Sequence, residues 1–176
     1  NYAYVAAGAA GLHIVDISNR SNPRILSSVD TPGNANDVRV VDQIAYIADG
    51  RSGLQIVDVQ DPTNAVLVGS LDTPGEAFDV RVVDRIAYIA DSFNGLQIID
   101  VANALQPRLL GGVDTPGISR GVDLVGTLAA VADGRTLQMI DVQDPANPQI
   151  LGALGLDGDT KDVAVRGNWA YVAAFT

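Results

Sequence analysis

Residues 44–62 read IAYIADGRSGLQIVDVQDP, and this line returns along the chain. It recurs as IAYIADSFNGLQIIDVANA at residues 86–104 and, one residue shorter, as LAAVADGRTLQMIDVQDP at residues 128–145. The opening YAYVAAGAAGLHIVDISN at residues 2–19 and the closing WAYVAAF at residues 169–175 are the same line again. A spacing of about 42 residues that recurs in this way predicts a repeat architecture.

Each repeat holds four strand-like pieces, which we name A to D in chain order. In the second repeat they are DVRVV from Asp37, IAYIA from Ile44, GLQIVDV from Gly53 and AVLVGSL from Ala65. Val and Ile favour strands, whereas the intervening DGRSG, QDPTN and DTPG favour turns. Strand C is apolar almost throughout, which indicates a strand covered on both faces. The sequence therefore predicts an all-β fold, a β-propeller of four-stranded antiparallel blades.

The repeats define a single propeller domain over residues 1–176. They start near Tyr2, Ile44, Ile86 and Leu128, with a partial one at Trp169. The first blade lacks strand A and the last lacks strands C and D. Three arrangements follow: residues 162–166 pair beside residues 2–6 and close a four-bladed ring, the chain belongs to a longer array, or unfinished ends complete one another between chains. At such a joint the equivalent residues are Tyr2 with Trp169 and Tyr4 with Tyr171.

The lines LHIVDIS, LQIVDVQDP, LQIIDV and LQMIDVQDP, with the recurring TPG and AYVA or AYIA, resemble the LVIVD-repeat β-propellers of bacterial and archaeal surface proteins. The resemblance covers the whole chain. It implies a propeller architecture and an extracellular or cell-surface location, often within a larger protein, and no shared enzymatic activity. Because propellers host unrelated functions, the function has to be argued from sites.

The composition narrows the classes of partner. A net charge of −10 disfavours nucleic acids and anionic membranes, and no apolar run is long enough for direct membrane insertion. With no Cys and one His, most zinc sites are excluded as well.

The segment GISRG at residues 117–121 matches the serine-hydrolase motif G-x-S-x-G. We expect a chance match, because Ser119 lies in a connector between strands and His13 stands where other repeats carry Gln.

Most of the recurring aspartates have an expected structural role. One set ends strand C in each repeat and should accept backbone N–H groups that lock a turn: Asp16, Asp58, Asp100 and Asp141. A second set follows strand B and should start a tight turn: Asp49, Asp91 and Asp133.

The innermost strand A carries the best candidates for a site. Asp37, Asp79 and Asp162 open this strand, and Gly121 replaces them in one repeat. Two residues further on stand Arg39, Arg81, Asp123 and Ala164. If these side chains line a central channel, their oxygens could bind a polar ligand or a hard cation such as Ca²⁺. The alternative, which we prefer, is an internal network of Asp–Arg pairs and bridging water, with no cofactor.

The aromatic residues divide into two groups. Tyr4, Tyr46, Tyr88 and Tyr171 recur within strand B between alanines, and we expect rings packed between blades. Phe78 and Phe93 occur once each, in loops where other repeats carry other residues. Singular loop aromatics are the better candidates for ligand binding.

Three functional hypotheses remain. The first is a non-catalytic module of a secreted or surface protein that binds protein or glycan partners through its loops. The second is a structural subunit whose incomplete end blades join copies of the chain into a ring or fibre. The third, ranked last, is a metal-dependent enzyme that uses the channel carboxylates.

Overall fold

The computed structural model describes residues 1–175 and contains seventeen β-strands. We call each of its five sheets a blade. Blade 1 contains β1 (Tyr2–Ala6), β2 (Leu12–Asp16) and β3 (Arg24–Val29). Blade 2 contains β4 (Asp37–Val41), β5 (Ile44–Ala48), β6 (Leu54–Asp58) and β7 (Val66–Leu71). Blade 3 contains β8 (Asp79–Val83), β9 (Ile86–Ala90), β10 (Leu96–Asp100) and β11 (Arg108–Val113). Blade 4 contains β12 (Ser119–Val125), β13 (Leu128–Asp133), β14 (Thr136–Asp141) and β15 (Gln149–Gly155). Blade 5 contains β16 (Asp159–Arg166) and β17 (Trp169–Phe175).

Neighbouring strands within every blade are antiparallel and follow chain order. The predicted strands A to D are therefore confirmed, as is the all-β class with repeats of about 42 residues. Among the described residues no helix is long and apolar enough to cross a membrane.

The hairpins between strands A and B show why the chain reverses so tightly. In blade 2 the two turn residues, Asp42 and Gln43, both have positive φ angles, 49° and 65°. Asp84 and Arg85 repeat this conformation in blade 3. Two consecutive residues with positive φ are the mark of a type I′ turn, whose twist matches that of the flanking strands.

The core lies between the blades rather than inside any one of them. One cluster joins Leu54 and Ile56 of blade 2 to Val80 and Ile89 of blade 3. Equivalent clusters join blades 1 and 2, blades 3 and 4, and blades 4 and 5. In blades 2 and 3 strand C is buried on both faces, as predicted, because a blade covers it on each side. Each blade therefore depends on its neighbours for a hydrophobic core.

A buried carboxylate fixes the connector that leads into each blade. Asp91, with an exposed fraction of 0%, accepts a hydrogen bond from the Thr73 hydroxyl at 2.6 Å and one from the Gly75 N–H at 2.9 Å. Asp49 and Asp133 bind the matching Thr and Gly of their own connectors. We call this arrangement the Asp–Thr–Gly clamp. These aspartates were predicted as turn residues only, and their bonds to a segment 16 to 18 residues earlier were not predicted.

The blades form an open arc. The inner strand β16 pairs with β17 alone, and β1 is an unpaired edge of its sheet within the described residues. The four-bladed ring that residues 162–166 would close by pairing beside residues 2–6 is therefore not formed. The physical reason is that β17 already occupies the edge of β16 that such a pairing would use. Strand β16 is also longer than expected, since it starts at Asp159.

The clamp predicts a large difference between two substitutions at one position. Thr73→Val keeps the shape of the side chain but removes the donor to buried Asp91, and we expect a loss of about 1–3 kcal/mol of unfolding free energy. Thr73→Ser keeps the hydroxyl and should cost clearly less. Urea denaturation of both variants measures the difference. Equal stability of the wild type and Thr73→Val would show that the Thr73 hydroxyl contributes nothing to the clamp.

Candidate functional site

The inner strands β4, β8, β12 and β16 are joined by carboxylates that reach from one blade to the next. An Asp37 carboxylate oxygen accepts the N–H of Val80 at 3.3 Å, and an Asp79 oxygen accepts the N–H of Val122 at 2.8 Å. Each bond spans 43 residues, about one repeat. These aspartates therefore hold adjacent inner strands in register.

Arg81 lies at the centre of this group. Its Nη1 is 2.8 Å from an oxygen of Asp79 and 3.4 Å from one of Asp37, and its Nε is 3.6 Å from one of Asp123. One guanidinium thus contacts carboxylates of three successive blades. Burial alone would lower the pKa of Arg81, but the surrounding carboxylates raise it overall. The preferred expectation of an Asp–Arg network matches these contacts.

In blade 4 a different aspartate holds the inner strand to that of the next blade. A Cβ atom at Gly121 would lie 2.7 Å from the Cα of Asp162, so an aspartate does not fit there. Asp123, two residues further along β12, accepts the N–H of Val165 at 2.7 Å instead. Asp162 is exposed and accepts the N–H of the adjacent Val163. Arg39, the counterpart of Arg81 in blade 2, is exposed.

The inner-strand carboxylates of blades 2 and 3 pair with a side-chain cation. Within residues 1–175 no three carboxylate or imidazole side chains lie close enough together to hold a metal ion. Asp37 and Asp79 instead converge on the positive charge of Arg81, which occupies the place a cation would need. Calcium binding at Asp37, Asp79 and Asp162 stays a prediction without support from this geometry.

Asp79 is the strongly perturbed acid of the network. Burial and, after it, the neighbouring Asp37 carboxyl raise its pKa to about 8, against the opposing effects of Arg81 and the Val122 N–H. Two adjacent carboxyl groups that share one positive partner cannot both ionise readily. Asp79 therefore keeps its proton to a higher pH than an exposed aspartate does.

A small pocket of about 190 Å³ opens beside the network. Phe78, which is half-buried, lines it together with Asp37, Asp79 and Arg81. Arg120 and Lys161 add two further cations that the sequence analysis did not single out. The Lys161 ammonium lies 4.6 Å from the centre of the Phe175 ring, so it already has a cation–π partner. Among the predicted site residues, this pocket brings together Phe78 and the inner-strand charges.

Phe93 lies at a separate cleft of about 460 Å³, in the loops between blades 2 and 3. Its side chain is 71% exposed. One wall carries Arg51 from the turn between β5 and β6, and another is the connector that contains Asp72 and Glu76. The structure therefore does not bring Phe93 together with Phe78. Arg51, Asp72 and Glu76 were not predicted as site residues, although Glu76 departs from the Asn34 and Ile118 of the neighbouring repeats.

The remaining motif residues have structural roles. Asp16, Asp58, Asp100 and Asp141 accept the N–H of the residue two positions later, which confirms the predicted turn. Hydrogen bonds from Ser18 and Arg24 lower the pKa of Asp16. Ser119 is fully buried at the start of β12, where its hydroxyl bonds Thr115 and Asp133, and His13 bonds Ser28 instead. Ser119 is therefore not at the exposed strand–helix corner that a nucleophile elbow needs.

The outer faces of blades 1 and 5 expose residues that are buried elsewhere. Tyr171 is 61% exposed, whereas its equivalents Tyr46 and Tyr88 are 7% and 6% exposed because the next blade covers them. Trp169 beside it is also exposed. At the other end Tyr2 is exposed and Tyr4 is half-buried. The predicted interblade packing of the tyrosines is thus confirmed for the inner blades.

The raised pKa of Asp79 predicts an unusual pH dependence of stability. Its ordinary pKa is near 3.8, so between about pH 4 and pH 8 the folded chain holds a proton that the unfolded chain has lost. Stability should therefore fall as pH rises through this window, with a slope of at most about 1.4 kcal/mol per pH unit from this group. In Asp79→Asn, whose amide oxygen can still accept the Val122 N–H, this contribution should vanish.

Chemical denaturation of the wild type and Asp79→Asn at intervals from pH 4 to pH 9 measures the slope. Asp30→Asn, at an exposed position outside the network, is the matched control for loss of one carboxyl group. Parallel curves for the wild type and Asp79→Asn would show that Asp79 ionises normally.

Solved structures with low sequence identity resemble this fold, and three of them illustrate it. The computationally designed Ika8 protein matches 99% of this chain and 52% of its own, with a TM-score of 0.76 and 12% identity. A functionally unknown protein from Desulfotomaculum acetoxidans matches 97% of this chain and 58% of its own, with a TM-score of 0.73 and 17% identity. The computationally designed Ika4 protein matches 84% and 89%, with a TM-score of 0.68 and 12% identity. The chain thus spans about half the length of the first two proteins.

No curated protein sequence matches the chain. The LVIVD repeat, however, matches it five times, and the matches leave only two residues uncovered. They fall at residues 1–31, 32–73, 74–115, 116–154 and 157–176. The first three boundaries fall between the Thr and the Pro of a DTPG connector, and the last falls between β15 and β16, so the matches separate the blades. With its repeating strands, interblade cores and Asp–Thr–Gly clamps, the chain belongs to the LVIVD-repeat family.

Proposed function

We propose that this chain is a non-catalytic interaction module of a secreted or surface protein, and that it binds a protein or glycan partner through its loops. The observation that carries the proposal is Phe93, a large apolar side chain that is 71% exposed on the wall of a polar cleft. Exposed aromatic residues in clefts are typical of binding sites. The extracellular location rests on the resemblance to surface proteins alone.

The chemistry of the inner strands supports a module without catalysis. Asp37, Asp79 and Asp123 each accept a backbone N–H from the next blade and contact Arg81. Carboxylates engaged in this way hold strands together and are poorly placed to move protons to a substrate. The metal-dependent enzyme is therefore the weakest of the three hypotheses.

The loop hypothesis can be tested by replacing one turn with its counterpart. Changing residues 92–94 from Ser-Phe-Asn to Gly-Arg-Ser gives the turn that blade 2 carries at residues 50–52. Ligands selected by the wild type from a glycan array and a displayed peptide library should bind this variant at least about tenfold more weakly, because the aromatic wall is gone. Thermal unfolding checks that the fold is kept. Undiminished binding by the variant would exclude this cleft as the binding surface.

A second candidate function is assembly through the end blades. The exposure of Tyr171 and Trp169 favours it, because the equivalent faces inside the chain are covered by a blade of the same repeat. The occupant that fits such a face is another LVIVD blade, supplied by a second copy of the chain. Continuity with the interblade interfaces is the support for this choice.

Light scattering over a range of concentrations tests assembly of the 176-residue chain, whose monomer mass is 18.3 kDa. A dimer or larger species should form, and the double variant Trp169→Ser, Tyr171→Ser should weaken it at least about tenfold by removing two aromatic contacts. Val66→Ser, at an exposed position on the outer strand of blade 2, is the control. A wild-type chain that stays at 18.3 kDa would refute the assembly hypothesis.

A further inference from the structure

The repeats provide an internal comparison, and one loop region departs from the rest. Glu76 stands in the connector where the neighbouring repeats carry Asn34 and Ile118. Phe93 stands in the turn where they carry Arg51 and Arg135. Both singular residues line the same cleft. Two departures that meet in one cleft indicate a local function that the other blades lack.

The backbone under Phe93 is held firmly in an unfavourable conformation. Ser92 has a φ of 56°, at the position where Gly8, Gly50 and Gly134 have nearly the same positive angle. A serine pays a steric cost in this region that glycine does not. The N–H and C=O of Ser92 both pair with Ser119 of the next blade, at 3.1 and 2.9 Å. The Phe93 ring is therefore presented from a rigid turn, which lowers the entropic cost of binding.

The charges of the cleft select the partner. Asp72 and Glu76 lie on the connector wall, and among the described residues neither forms an ion pair with Arg51 or any other cation. An aromatic face attracts cations, and the two carboxylates reinforce that attraction. A net charge of −10 would also speed the approach of a basic partner. A neutral sugar can donate hydroxyl hydrogen bonds to the two carboxylates but forms no ion pair with them.

We propose that the cleft formed by Asp72, Glu76, Phe93 and Asn94 binds a lysine or arginine side chain of a protein partner. The cation lies over the Phe93 ring and pairs with the carboxylates, in the way that Lys161 lies over Phe175 within this chain. Arg51, which lines the same cleft, can donate to a backbone carbonyl of the same partner segment. The inference rests on the proposed function, since it names the partner class for that loop surface.

The test is an NMR titration of the full chain with three blocked tripeptides: acetyl-Gly-Arg-Gly-amide, acetyl-Gly-Lys-Gly-amide and the neutral acetyl-Gly-Gln-Gly-amide. The two cationic peptides should shift the signals of Phe93, Asn94 and Glu76, and the neutral one should not. Phe93→Arg and Glu76→Asn introduce residues that neighbouring repeats already carry, so the fold should tolerate both. Each should weaken binding about three- to tenfold, and the double variant should abolish it.

Phe93→Leu separates the ring from its apolar bulk. It keeps the charge and much of the volume of the wild type and should still lose most of the affinity for the cationic peptides. The same titration is made with the methyl glycoside of N-acetylglucosamine. If the glycoside shifts the cleft signals and the cationic peptides do not, the cation assignment is wrong and the loop-binding function is kept. If the cationic peptides shift signals over the whole acidic surface, or if the shifts are unchanged in Phe93→Arg, binding is general charge attraction and the assignment to this cleft is wrong. If, in addition, the array and the library give no ligand whose binding is weakened by the replacement of residues 92–94, the loop-binding function itself is wrong.

Discussion

The structure depends first on a buried carboxylate that binds a connector far from it in sequence. Asp91 is the best example, because it holds Thr73 and Gly75 while its own backbone starts the turn that carries Phe93. Burial raises its pKa, which its two hydrogen bonds oppose. Because the connector leads directly into the inner strand β8, one side chain positions both a blade entrance and a wall of the cleft. The clamp thus links the hydrophobic stack of blades to the loop surface.

Much of this fold could be predicted from the sequence because repetition makes the pattern visible several times. The strand lengths, turn positions and interblade tyrosines follow from alternating apolar residues and turn-forming segments. The turns after Asp16 and its equivalents were predictable for the same reason, since their bonds reach only two residues. The clamp was not, because its bonds depend on how a connector passes over a turn in three dimensions. A spacing of 18 residues between Thr and Asp in three repeats was the available signal.

The candidate sites were predictable to a lesser degree. Asp37, Asp79 and Arg81 do meet near the inner strands, as their positions at the start of strand A suggested. The sequence could not show that Arg81 would occupy the space between the carboxylates, or that Gly121 leaves no room for a fourth aspartate. Phe93 was identified as singular, but its neighbours Asp72 and Glu76 come from another loop. A residue that departs from the repeat, such as Phe93, can be identified from the sequence as a candidate site residue. The residues that face it across a cleft can be identified only from the fold.

The carboxylate bonds between inner strands have a consequence for how the molecule unfolds. Among side chains of the described residues, no hydrogen bond joins groups more than 44 positions apart, so these bonds link each blade only to the next one. Among residues 1–175 no hydrophobic cluster or ion pair ties the first blade to the last, so stability behaves as a sum of neighbouring interfaces. Fraying can then begin at either outer blade and advance inward one interface at a time. The Phe93 cleft, between the second and third blades, lies in the part of the arc that such fraying reaches late.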